Sequence, residues 1–128
     1  MLAITLLALL AALLHIVFFV FESLLWTTPT VRKIFRQSEA DAQTTRMLAL
    51  NQGYYNLFLA LAAIAGVVLM YRVDVPIAVS VAVLTVSLGS MVGAALVLLF
   101  SAGKKMIRGV LLQGLAPLVC LVLIWRPV

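Results

Sequence analysis

The chain has 128 residues, 66% hydrophobic and 10% charged, with a mean hydropathy of +1.25 and a net charge of +5. Soluble domains are nearer half apolar with about a quarter charged, so the composition excludes an ordinary soluble domain and points to a single membrane domain over residues 1–128. The basic excess falls in connections, where membrane topology accounts for it without nucleic acid, and the single cysteine, Cys120, excludes an internal disulfide.

The first apolar segment covers residues 2–26, near the ~20 residues that cross a bilayer. It lacks a basic n-region and an A-x-A-like cleavage site, so it reads as a retained helix rather than a signal peptide. It carries His15 and, seven residues on, Glu22. That spacing puts both on one helical face. Trp26 marks the interface, which sets Glu22 roughly 6 Å inside it and His15 about 10 Å deeper.

The connection 27–46 is the long one. Within it, Val31, Ile34 and Phe35 share a face among Arg32, Lys33 and Arg36, as in a short helix lying on a leaflet, or in an ordinary basic loop. Ser38 with Asp41 resembles a capping box and predicts that the second helix begins near Glu39, before it enters the membrane. The second span, 47–71, opens with "RMLALNQGYYN". Gln52 and Asn56 stack four apart on one face, with Asn51 and Tyr55 in the same turns and Arg46 just outside. Gly53 removes a side chain beside that face, allowing close approach.

A tight turn follows, where Asp74 can cap and Pro76 suits the first helical turn. The third span, 76–101, contains Gly89 and Gly93 in a GxxxG pattern, read as packing within the chain rather than as a dimer seam. The fourth span, 107–125, brings Gln113, and Pro117 frees the Gln113 carbonyl by lacking the N–H that would bond it. The connections 27–46 and 102–108 hold seven of the nine cations, which places both in the cytoplasm. The expected fold is therefore all-α: a four-transmembrane-helix bundle with both termini on the non-cytoplasmic side.

Three spans thus place polar groups at similar depth in the cytoplasmic half. A carboxyl group in hydrocarbon costs a few kcal/mol, so Glu22 must be buried in protein, paired with Arg46 or with an amide. The candidate site is Glu22 and His15 for acid/base or proton exchange, with Arg46, Asn51, Gln52, Tyr55, Asn56 and Gln113 as ligand-binding groups. Each amide alone also suits plain helix-to-helix hydrogen bonding. No nucleotide loop, zinc motif or Ser-His-Asp arrangement occurs, and one His with one membrane Glu is too few for a metal. No cofactor is implied by any motif.

The H-x6-E of His15 and Glu22, the "NQGYYNLFLA" segment from Asn51 to Ala60, and the Q-G-x-x-P of Gln113, Gly114 and Pro117 resemble a bacterial family of small four-helix membrane proteins, domain of unknown function 1304. The resemblance covers essentially the whole chain and implies a multi-pass protein of the bacterial cytoplasmic (inner) membrane. A looser similarity is to the membrane-associated eicosanoid and glutathione metabolism family, also four-helix with a basic first connection. Its second helix opens with Arg followed by Asn and Glu. Arg46 and Asn51 echo that, at a different spacing and without the Glu. That family's trimers imply a possible homo-oligomer with a site between subunits.

Three functions fit the pattern. In the first, an amphipathic small molecule enters from the inner leaflet and is bound or processed at the polar pocket. The second is a proton-coupled transporter or proton relay using Glu22 and His15. The third is a non-catalytic structural or partner subunit whose polar groups lock the bundle.

Overall fold

The computed structural model describes residues 1–126. Helix α1 covers Leu2–Phe19 and runs on through a π-helical turn, Val20–Leu24. Two short helices, α2 (Pro29–Phe35) and α3 (Glu39–Thr44), lead into α4, Arg46–Met70. Then come α5 (Ile77–Ala102), one 3-10 turn at Gly103–Met106, and α6 (Ile107–Trp125). Among the described residues there is no strand.

Three helical stretches are long and apolar enough to cross a membrane: Leu2–Leu24, Arg46–Met70 and Ile77–Trp125. The third, 49 residues, folds back on itself at the 3-10 turn, so that α5 lies along α6. The four long helices pack in the ring order α1, α4, α5, α6 and back to α1. Small side chains set the spacing. Ala8, Ala11 and Ala12 of α1 share a buried core with Ala60 and Ala63 of α4, and small residues let backbones approach where lipid supplies no hydrophobic drive. Leu84, Leu88 and Met91 of α5 fill the centre and are fully buried. Gly66 lets α4 sit against Leu84, and its carbonyl accepts a 2.7 Å bond from the Ser80 hydroxyl.

The connection 27–46 is two helices rather than a loop. Pro29 opens α2, where a missing N–H costs nothing. Arg36 ends it in the left-handed region at φ 56, and Gln37 N–H reaches back to Arg32 O at 2.9 Å. This is the helix stop that glycine usually supplies. Val31 is buried and Phe35 stacks on Trp26 with ring centres 5.0 Å apart, while Ile34 stays exposed. The Ser38–Asp41 capping box forms, with Asp41 N–H on Ser38 Oγ at 3.1 Å and Ser38 N–H on Asp41 Oδ2 at 3.4 Å.

Two details differ from the sequence expectation. Asp74 does not cap α5. Its carboxylate accepts two 2.9 Å bonds from the Arg72 guanidinium, a bidentate pair that holds it below the usual carboxylate range, and Pro76 stands at the cap. The GxxxG pattern is not used within the chain, since a methyl group added at Gly89 or Gly93 would meet nothing within 4 Å.

Candidate functional site

The site is built around a change in helix type. At the end of α1 the Leu25 N–H bonds Val20 O, five residues back, at 3.0 Å. Such π turns inside α-helices are rare and recur at functional sites. Glu22 and Ser23 lie within this turn. Opposite them stands Gly53 of α4, where an added Cβ would collide with Ser23 Oγ and come within 3.0 Å of Ser23 N and 3.2 Å of Glu22 Cβ. The Ser23 hydroxyl donates to Leu50 O at 3.0 Å, fastening the turn to α4. The absent side chain at Gly53 thus brings the Glu22 backbone against α4.

That approach places the Glu22 carboxyl on an amide. Asn56 Nδ2 donates to Glu22 Oε2 at 2.7 Å. Asn56 is itself buried, so this bond is shielded from solvent. Of the two pairings open to Glu22, the amide is the one realised. Arg46 lines a small cavity of about 100 Å³ with Glu22 but forms no ion pair with it; among the described residues the ion pairs are Arg32–Glu39 and Arg72–Asp74.

Glu22 also lines two larger cavities. One, about 440 Å³, adds Asn51, Gln52 and Tyr55 of α4, with Trp26. The other, about 510 Å³, adds Gln52 and Gln113, with Phe18 and Phe35. Glu22 therefore lines three cavities, whose walls also hold amides from α4 and α6. Six of the residues singled out in the sequence converge on it: Arg46, Asn51, Gln52, Tyr55, Asn56 and Gln113.

His15 is placed elsewhere. It is buried among the helices, and its Nδ1 bonds Ala11 O at 2.9 Å. A carbonyl only accepts, so Nδ1 carries the proton and Nε2 faces the interior without a partner. Phe18 sits edge-on to the ring at 6.0 Å. His15 is not in the walls of the three cavities that Glu22 lines. Glu22 lies inside the π turn, and His15 stands seven residues before it, about 10 Å away along the helix.

Sequence reasoning missed Ser23 and the wider role of Trp26. Trp26 lines all three cavities and donates from Nε1 to Thr45 Oγ1 at 3.1 Å. Its spacing of four from Glu22 was the available signal. For Ser23 there was none, because its partner is a backbone carbonyl on another helix. Among the described residues no group of three His, Cys, Asp or Glu side chains could hold a metal ion.

The family described as "Protein of unknown function (DUF1304)" matches residues 9–125. The chain belongs to this family. The match spans every candidate residue from His15 to Gln113. No curated protein and no solved structure matches the chain. The looser similarity to the eicosanoid and glutathione metabolism family is not shown by these comparisons.

Proposed function

We propose that this DUF1304 protein binds a small amphipathic molecule at Glu22. The observation that carries the reading is Glu22, held by Asn56 and lining cavities of about 440 and 510 Å³ whose walls combine amides with aromatic and aliphatic side chains. Pockets of this kind use a few converging polar groups to orient a largely apolar ligand. Glu22, Gln52 and Gln113 hold the ligand's polar group, Asn51 and Tyr55 flank the entrance, and Phe18 and Phe35 cover its apolar part. Any proton exchange with the ligand falls to Glu22, since His15 stands apart from these cavities.

The setting we propose is a bacterial cytoplasmic membrane crossed four times, by α1, α4, α5 and α6, with both termini outside. The support is the asymmetry of charge, seven of nine cations lying in the two connections at the Glu22 end. The ligand then enters from the inner leaflet.

The test is mass spectrometry of small molecules that co-purify in mild detergent. The wild type is expected to retain a defined molecule that Glu22→Gln and Gln113→Leu lose while His15→Ala keeps it. An identical bulk-lipid profile in all four folded proteins would sink the binding reading and favour a purely structural role.

A further inference from the structure

A fourth cavity, about 410 Å³, lies between the end of α1, the helix α2 and the start of α6. Four cations stand in its wall: Lys33 and Arg36 from one connection, Lys105 and Arg108 from the other. No described carboxylate stands with them, and Glu39 is engaged by Arg32 at 3.5 Å. Topology requires basic residues on these connections but does not require them to meet. Lys104 and Arg46, which satisfy the same rule, lie outside this wall. All four cations of the wall are solvent-exposed, and four like charges lining one cavity make it attractive to an anion.

The remaining wall is apolar and ordered. Leu14, Val17, Phe18 and Phe21 follow the spacing of a single stripe along α1, about 10 Å long. On α6, Leu112 follows Arg108 one turn along, so this wall too grades from cation to hydrocarbon. Arg36 reaches its place because α2 stops there in the left-handed conformation, without a glycine. Guanidinium groups pair with phosphate oxygens through two parallel hydrogen bonds. A free phosphate would leave the stripe unused.

We infer that this cavity is a site for one anionic phospholipid, with its phosphate among Lys33, Arg36, Lys105 and Arg108 and an acyl chain along the Leu14–Phe21 stripe. The site adjoins the Glu22 pocket through Phe18 and Phe35 but does not depend on Glu22.

Trp26 reports on it, because its ring lies 5.0 Å from that of Phe35 in the cavity wall. Trp125→Phe removes the other indole, leaving Trp26 alone. The Trp125→Phe protein is placed in phosphatidylcholine vesicles holding either dibrominated phosphatidylglycerol or dibrominated phosphatidylcholine at equal mole fraction. Quenching of Trp26 is expected to be stronger with the anionic lipid. Lys105→Gln, and the pair Lys33→Gln with Arg108→Gln, should lower that preference about fivefold per charge removed, whereas Lys104→Gln and Glu22→Gln should keep it. Equal quenching by the two lipids overturns the site. So does a preference that falls as much for Lys104→Gln as for Lys105→Gln, which is the behaviour of a diffuse surface field. A Trp26 emission change on adding inorganic phosphate to vesicles without anionic lipid, abolished by Lys105→Gln, would replace the lipid with a soluble phosphate. Loss of preference in Glu22→Gln would move the lipid to the other pocket.

Discussion

Around Ala8, Ala63 and Leu84 the four long helices close on a buried core, and the groove of about 370 Å³ beside it, between α4 and α5, is lined by aliphatic side chains and Ser87; around Glu22 the same helices leave cavities of about 440 and 510 Å³ lined by amides and a carboxyl. The closed end is tied by short polar contacts at its rim. Thr5 and Tyr71 hydroxyls meet at 2.8 Å, and Trp125 Nε1 donates to Thr85 Oγ1 at 3.1 Å. At the open end the helix changes pitch, the side chains are large or polar, and one hydrogen bond between Asn56 and Glu22 holds the carboxyl. Interiors are close-packed by default, so space lined by amides and a carboxyl sets the Glu22 end of the bundle apart. The closed end is the scaffold that holds the open end in shape.

The comparison breaks first where packing is densest. Leu84→Ala should destabilise by about 2–3 kcal/mol, the lower part of the range for buried leucines, because in lipid the transfer contribution is largely absent and mainly the cavity cost remains. Thermal unfolding in detergent, read by circular dichroism, checks this; a wild-type midpoint would mean that the closed end is not the scaffold.

The next test crosses from one end to the other. Gly53→Ala forces a methyl into Ser23 and Glu22, where backbone stands in the way, and should cost about 1–3 kcal/mol as overpacking does. It should also release the ligand, since Glu22 moves with the turn. Gly89→Ala, with open space around the added methyl, should instead be neutral or stabilise by up to about 1 kcal/mol through helix propensity. If both alanine variants behave alike, close approach at Gly53 is not what builds the site.

Asn56→Ala leaves Glu22 without its amide and should cost about 1–2 kcal/mol. Asn56→Ala combined with Glu22→Gln should cost less than the sum of the two single changes, a coupling that a double-mutant cycle measures. Additive costs would mean that the pair is incidental.

The smallest effect belongs to the exposed Arg72–Asp74 pair at the closed end. Arg72 lowers the Asp74 pKa, so the pair supports folding above the ordinary carboxylate value of about 3.9 and fades as pH falls through the lower folded value. Both groups are solvent-exposed, so Asp74→Asn should leave the melting temperature at pH 7 unchanged within error. A clear drop would show the turn between α4 and α5 to be more than a connector.

Much of this was legible in the chain itself. The apolar runs predict helices at 47–71 and 107–125, and α4 and α6 occupy Arg46–Met70 and Ile107–Trp125. Ser38 and Asp41 announced a helix start at Glu39, though not the break at Thr45 that makes α3 separate from α4, and the amides of "NQGYYN" announced the polar face that meets Glu22. These signals are local, since capping and periodicity involve residues within one or two turns. The separation of His15 from Glu22 along α1 was legible, since seven residues rise about 10 Å; the π turn that holds Glu22 was not, because its five-residue hydrogen bond exists only in the folded backbone. The idle GxxxG of α5 was not legible either. Small residues permit an approach without requiring one, and only the placement of α4 and α6 shows that neither neighbour uses it.

Composition and periodicity alone determined that this chain is helical and long and apolar enough in its helices to cross a membrane, with its polar groups at one level; each of these follows from residue type and spacing along a single helix. Tertiary structure decided that Glu22 bonds Asn56 rather than Arg46, that Gly53 receives Ser23, and that Lys33, Arg36, Lys105 and Arg108 surround one cavity. Those are contacts between residues distant in sequence, and their geometry exists only once the helices have packed.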